Sequence, residues 1–475
     1  MVRIFPHDQV DNPSHDLNLD MNAVDQEGST TYVYLVAIVA AVSGLLFGFD
    51  TAVINGALPF LKGYFSLTDI EIEISASSLL LGCVVGVSGA GPLSDRYGRK
   101  RILFIAAGLF LLSAIGAATP RHIPEFIVAR FIGGLAIGAG SMMAPLYIAE
   151  IAPAHIRGRL VSLNQMAIVS GILCSYLISW LLSGIGISSW RWMFAIVGLP
   201  SFFFMVGIFF MPESPRWLVK QGQLEPARVI LGKVSGIQRG IIELEAIREA
   251  IAQEEGSMAQ LFQTGLRRPM LISIVMAVLQ QVTGINTIIY YSSMILTRPA
   301  GKEAASSAGE ALRANVIVGI VAFFSTMIAL CIIDKIGRKP LLLVASGGMG
   351  FSMFVLGGAF FQPSASRTLI LAAIFSYVAF FSVGMGPGVW VLMSELFPTR
   401  VRGRAMAVAT VSLWSACLLV TLTFLSLMNA LSPGGAFWFY GIMCVLTFVF
   451  IWRALPETKE KTLEEIEKWW RPEPL

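Results

Sequence analysis

"DRYGRK", Asp95–Lys100, returns later in the chain as "DKIGRK", Asp334–Lys339. A second string repeats too: "AEIAPAHIRGR", Ala149–Arg159, comes back as "SELFPTRVRGR", Ser394–Arg404. Both pairs lie about 240 residues apart. One match would be weak evidence, but two in register mark an internal duplication of a large unit. In each half the first string follows the second apolar run and the second string follows the fourth.

The material between these strings is apolar. Of 475 residues, 55% are hydrophobic and 13% charged, against roughly 25% charged in soluble domains. So little polar material could not cover a soluble fold of this size, so lipid is the expected solvent. A helix needs about 20 apolar residues to cross the hydrocarbon core. Twelve such runs are centred near residues 47, 84, 110, 137, 171, 201, 284, 323, 349, 381, 416 and 444. The expected fold is an all-α membrane protein with twelve transmembrane helices in two six-helix pseudo-repeats. Its divisions are a disordered tail (1–30), a first half (31–211), linker helices (212–268), a second half (269–455) and a C-terminal tail (456–475). The linker contains Ile241, Leu244, Ile247 and Ile251 at helical spacing, which reads as an amphipathic helix outside the membrane.

Two halves with matching loops fit a parallel repeat with a binding site between them near the bilayer midplane. Arginines and lysines set the orientation. Arg96, Arg99, Lys100 and Arg101, then Arg157 and Arg159, then Lys335, Arg338 and Lys339, then Arg400, Arg402 and Arg404 occupy one set of loops. The alternate loops include Asp69, Glu71, Glu73, Glu303 and Glu310. Both termini and the linker are therefore expected in the cytoplasm. The acidic N-terminal tail does not read as a signal peptide, and its His7 and His15 read as solvated rather than metal-bound. The five cysteines sit in apolar runs, which argues against a disulfide framework or a zinc site.

Within the repeated strings, acids and arginines stand close enough to bond bidentately across neighbouring helix ends. Solvated topology signals would need no such placement at the same point of both halves. The reading is a cytoplasmic latch that forms in one conformation and opens in another. Asp95, Arg99, Glu150 and Arg157 would serve the first half; Asp334, Arg338, Glu395 and Arg402 would serve the second.

"GLLFGFDTAVING", Gly44–Gly56, keeps one acid, Asp50, inside the first apolar run. An unpaired carboxylate at that depth costs several kcal/mol. Arg130 of the fourth span lies at a similar depth, so it is the expected partner. Arginine does not give up its proton, so only Asp50 can change charge. Either the pair is static, or Asp50 takes up a proton and frees Arg130. In "LQQVTGIN", Leu279–Asn286, Gln280, Gln281 and Asn286 would diverge on an unbroken helix. A break at Gly284 would let them converge on a cavity. "GMGPGVW", Gly384–Trp390, is a second breaker cluster, which makes Trp390 a candidate stacking plate.

These features resemble the sugar porters of the major facilitator superfamily. The resemblance runs from about residue 34 to 467 and adds "PESPRWL" (Pro212–Leu218), "QQVTGIN" (Gln280–Asn286) and "PETK" (Pro456–Lys459) to the duplicated loops. It implies that Gln165, Gln280, Gln281, Asn286 and Trp390 contact sugar. It also implies that Phe47 and Trp414 form the wall, and that Tyr290 and Tyr291 form an extracellular gate, with anchoring at the lipid interface as the rival. It implies proton coupling through Asp50 and Arg130, since uncoupled members commonly carry a neutral residue there. Ala322, Leu413 and Cys417 stand where amides are usual, and Ile172 where some members have glutamine. The pocket is thus less polar than glucose would call for, leaving pentoses, polyols and inositol open.

The expected activity is proton-coupled import of a monosaccharide or sugar alcohol by alternating access. An uncoupled uniporter and a non-transporting nutrient sensor are the alternatives. No phosphate-binding loop of the G-x-x-x-x-G-K-[ST] type occurs, so neither an enzyme nor ATP drive is expected. The proton gradient takes the place of a cofactor, with no metal and no nucleic acid. A monomer in a bacterial inner membrane is expected.

Overall fold

The computed structural model describes residues 28–153, 155–252, 261, 265–297, 307–362, 366–397 and 399–459. Residues 1–27 of the expected tail, with His7 and His15, and the last residues of the chain lie outside these, while Ser29 and Thr30 of that tail cap and open the first helix. Among the described residues there is no strand.

The first half is built from α1 (Thr30–Phe65), α2 (Asp69–Tyr97), α3 (Arg99–Ala118), α4 (Ile123–Ile151) and α5 (Arg157–Leu182), then α6 (Ser189–Ala195) and α7 (Gly198–Phe210) sharing the sixth span. Three short helices, α8 (Pro215–Lys220), α9 (Leu224–Ser235) and α10 (Ile237–Ala252), form the linker. Leu218, Ala227, Leu231 and Leu244 make a small apolar core of their own there. The second half runs through α11 (Arg267–Val282), α12 (Ile285–Leu296), α13 (Ala308–Ile336), α14 (Arg338–Phe361), α15 (Arg367–Phe380), α16 (Gly386–Glu395) and α17 (Thr399–Ala454).

Eleven helical segments among the described residues are long and apolar enough to cross a membrane. The last, α17, accounts for two of the twelve expected spans. Ser432 has φ 66° and precedes Pro433, so the helix cannot continue straight there. On a straight helix Phe424 and Tyr440 would be about 24 Å apart, yet their rings are 6.2 Å apart. The two arms of α17 therefore fold back against each other.

The duplication extends to helix ends. Thr68 and Glu71 form a capping box at the start of α2, and Ser307 and Glu310 form the same box on α13. Each cap stops a free N–H from pointing into lipid. Both helices are 29 residues long, and both end at a glycine of positive φ, Gly98 (98°) and Gly337 (99°). A β-carbon would be strained at that φ. It would also lie 2.2 Å from a Glu213 oxygen at Gly98 and 2.9 Å from a Glu457 oxygen at Gly337.

The halves meet along α1–α12, α2–α17 and α5–α13. The side bearing the start of α1, the linker and the end of α17 is called here the linker face, and its opposite the far face. Toward the far face, Asn55 of α1 donates to the Ile289 carbonyl (2.8 Å) and Ser292 Oγ (2.6 Å). Its side-chain carbonyl accepts from Ser293 N (2.9 Å) and Asn315 Nδ2 (3.2 Å). Tyr176 adds a bond to the Ile289 carbonyl (3.1 Å). At the start of α2, Glu73 accepts from Ser426 N (2.8 Å) and Ser426 Oγ (2.7 Å). Asp69 accepts from Asn429 (3.1 Å). Glu73 was expected in a polar loop, but it is only 2% exposed, in the second turn of α2. Its spacing from Asp69 and Ile72 turns it inward, against α17.

Candidate functional site

Asp50 and Arg130 come together. Arg130 Nη1 donates to Asp50 Oδ1, and Nη2 donates to the Asp50 main-chain carbonyl at 3.0 Å. Arg130 is 0% exposed and Asp50 3%. The guanidinium carbon lies 5.1 Å from the centre of the Phe194 ring, an arrangement that favours a cation. Removing one member of such a pair strands the other charge, at a cost of about 3–5 kcal/mol. The main-chain bond adds a point that residue spacing could not reveal. A neutral Asp50 would still hold one arm of Arg130 through its backbone.

The amides of the seventh span also converge. Gly284, at φ 98°, separates α11 from α12. A helix broken inside the bundle leaves carbonyls that need donors. Thr283 Oγ1 bonds the Gln280 carbonyl (2.8 Å), and Tyr377 Oη donates to the Thr283 carbonyl (3.0 Å). The second expected break, Gly384–Trp390, is only partly one: the π-helical turn Phe381–Met385 between α15 and α16 overlaps its first two residues, and Gly386–Trp390 run on as the start of α16. Gln280 ties the two breaks together, since its Nε2 donates to the carbonyls of Met385 (2.7 Å) and Gly386 (3.2 Å). Gln281 Nε2 donates to Gln280 Oε1 (3.2 Å), and Asn286 Nδ2 donates to Gln281 Oε1. Cys417 stands against Asn286 and Thr421.

Phe47 and Trp414 face each other from opposite halves, with ring centres 5.4 Å apart. Gln165 on α5 and Trp390 on α16 are each partly exposed, and no hydrogen bond joins them to the amide cluster among the described residues. Tyr290 and Tyr291 are fully buried. Tyr291 donates to the Thr421 carbonyl (2.8 Å) and packs on Phe424 at 5.2 Å. Tyr290 faces Thr51 of α1. Both side chains therefore lie inside the bundle, where the seventh span meets α1 and α17.

At the linker face the acids and arginines pair within each half, not between halves. Arg99 bonds Glu150 (3.2 and 3.3 Å) and lies 3.1 Å from Asp95. Arg338 bonds Glu395 (2.7 and 3.1 Å) and lies 3.0 Å from Asp334. Arg157 and Arg402 do not join these clusters by hydrogen bond. Each turns back on the preceding turn, to the carbonyls of Ala152 (3.3 Å) and Phe397 (3.4 Å).

Each cluster also has two members that the sequence reading left out. Glu213 accepts from the main-chain N–H groups of Arg99 (2.9 Å), Lys100 (3.1 Å) and Ser214 (2.8 Å), and Ser214 Oγ bonds Glu150. In the second half Glu457 accepts from Arg338 N (3.0 Å) and Lys339 N (3.0 Å), and Thr458 bonds Glu395 (2.6 Å). "PES" at Pro212 and "PET" at Pro456 are thus a third repeat, 244 positions apart, and that spacing was the signal available. Asn55 and Glu73 were missed as well.

Residues 36–470 match the family model described as "Sugar (and other) transporter". The chain is 37% identical to the D-xylose-proton symporter of Escherichia coli K12, over 94% of this chain and 97% of that protein. It is 38% identical to the arabinose-proton symporter of Bacillus subtilis, over 94% and 97%, and 40% identical to a glucose transport protein of Synechocystis, over 95% and 100%. The solved inward-open conformation of the E. coli xylose transporter superposes with a TM-score of 0.80 at 35% identity, covering 93% of this chain and all of that one. A buried ion pair within the first six-helix unit, a seventh span broken beside its amides, a π-helical turn in the tenth span, and these similarities lead to one conclusion: the chain belongs to the sugar transporter family, the sugar porters of the major facilitator superfamily, and is a multi-pass membrane transporter rather than an enzyme.

Proposed function

We propose that this transporter imports a monosaccharide together with a proton by alternating access, with the linker face toward the cytoplasm. The observation that carries the coupling is the buried Asp50–Arg130 pair in the first half. A proton on Asp50 cancels the charge that holds Arg130 Nη1, whereas Arg130 keeps its own proton. Protonation from outside and release inside would then alternate the strength of one contact between α1 and α4. Two relatives named as proton symporters support the reading.

The sugar would sit against Gln165, Gln281, Asn286 and Trp390, with Gln280 behind them and Phe47 and Trp414 as apolar walls. Tyr290 and Tyr291 would close over it from outside. Arg99–Glu150 and Arg338–Glu395 would be the cytoplasmic latch, formed in this conformation and open in another, with Asp95 and Asp334 at their rims and Arg157 and Arg402 on the adjoining turns. The relatives' names span pentoses and a hexose. Leu413 and Cys417 favour a substrate with fewer hydroxyls to satisfy. No bound cofactor is invoked, and one chain holds a complete set of these groups.

The test is uptake into sealed vesicles at two pH values, with pentoses, hexoses, polyols and inositols compared. Sugar entry should alkalinise the outer medium and respond to an imposed pH gradient. Asp50→Asn should retain sugar exchange and lose uphill accumulation. An Asn variant that still concentrates sugar on a proton gradient would leave uncoupled uniport as the better account.

A further inference from the structure

The two oxygens of Asp50 are not equivalent. Oδ1 accepts from Arg130, whereas Oδ2 is buried and has no hydrogen-bond partner among the described residues. What Oδ2 faces is set by Gly133, three residues after Arg130 on α4. A β-carbon added at Gly133 would lie 2.9 Å from Asp50 Oδ2 and 2.5 Å from Ser113 Oγ of α3. The two oxygens therefore border one small space and are separated by no more than those two lengths together. One bridging water spans such a gap, and a modest side-chain rotation would close it to a direct hydrogen bond. Any side chain at position 133 would fill the space, and glycine leaves it open. Ser113 is itself only 3% exposed.

The other neighbours of the acid do not serve Oδ2. Arg130 is the charged group acting on Asp50. Cys83 of α2 faces both members of the pair, and Tyr290 and Cys417 of the second half face Cys83 in turn. None of them reaches Oδ2 with a hydrogen bond. Because Oδ1 already accepts an N–H, an incoming proton goes to Oδ2. The new O–H then points into the space that Ser113 borders. A buried O–H without an acceptor is costly, and a serine oxygen has two lone pairs to offer. The ionised acid gains no bond from Ser113 in the geometry seen here. The serine thus favours the protonated form of Asp50 over the charged one.

We propose that Ser113 is a positioning residue for proton uptake, receiving the O–H of neutral Asp50 across the space that Gly133 leaves and so setting the outer pH at which coupled transport runs. The proposal rests on the reading that Asp50 carries the coupled proton.

The test is the pH profile of sugar uptake into sealed vesicles as the outer pH is varied. Ser113→Ala should need a roughly two- to tenfold higher outer proton concentration for half-maximal uptake, the equivalent of one lost hydrogen bond. Ser113→Cys fills the same space with a weak acceptor and should move the profile the same way. In an Asp50→Asn background, sugar exchange should follow the same pH profile with and without Ser113→Ala, because the acid that the serine serves is gone.

The proposal is overturned if Ser113→Ala leaves the profile in place, lowers uptake equally at every pH, or moves Asp50→Asn as far as it moves the parent. Should Ser113→Ala fail to fold, Ser113→Cys carries the same expectation. A parent protein whose uptake ignores the outer pH would instead refute proton coupling through Asp50. Failure of the serine's role is thereby told apart from failure of the coupling reading.

Discussion

At Gly284 the backbone does what no other residue does comfortably. A φ of 98° is open to glycine, and an added β-carbon would lie 2.9 Å from the Tyr440 ring. Gly284→Ala combines strain of about 1–3 kcal/mol with a collision against α17. It should lower the melting temperature in detergent and weaken sugar binding more than it weakens folding. Thermal shift with and without sugar checks both. This break was legible beforehand, because glycine between two amides inside an apolar run has few other uses. The Asp50–Arg130 pair was legible too, through equal depth on antiparallel spans. Glu73 was not. Next to Asp69 and Glu71 it looks like loop charge, and only the register of the capping box at Thr68 shows that it enters the bundle.

Among the elements, the ends of α2 and α13 and the starts of α3 and α14 are fastened by carboxylates that arrive from elsewhere in the chain. Glu213 holds three main-chain N–H groups. Glu213→Ala leaves them without that acceptor, a loss of about 1.5–3 kcal/mol for bonds to a charged group. Hydrogen exchange at Arg99, Lys100 and through α8 should accelerate at least tenfold, while α13 and α14 stay protected. Glu457→Ala should give the converse pattern at Arg338 and Lys339. Equal acceleration in both halves from either variant would contradict local fastening. The repeated strings disclosed these elements, but not that Arg157 and Arg402 would spend their guanidinium groups on carbonyls five residues before them, Ala152 and Phe397.

For the molecule as a whole, helix contacts and not the covalent linker join the halves, and α8–α10 are moored to the first half. Trp217 and Gln221 bond the Asp95 carbonyl (3.0 and 3.4 Å), and Tyr147 bonds the Pro212 carbonyl (2.7 Å). Two fragments, residues 1–260 and 261–475, should therefore associate when co-expressed and retain at least a tenth of the uptake of the intact chain. Co-purification and vesicle uptake check this. Absence of association would mean that the covalent connection carries more of the assembly than the α1–α12, α2–α17 and α5–α13 contacts. The twelve-span plan was readable because lipid imposes span length on sequence. The far-face seam was not, because Asn55 and Ser292 lie in separate halves, and no local pattern says which side chains meet across them.

The tie made by Gln280 has a consequence for how cargo and motion are joined. Its Nε2 bridges the carbonyls of Met385 and Gly386, so the seventh and tenth spans share a single crossbar at their weakest points. A hydroxyl that drew this amide toward itself would unpin both at once. Cargo would then loosen the joint simply by competing for the hydrogens that keep it stiff, and its departure would let the joint set again.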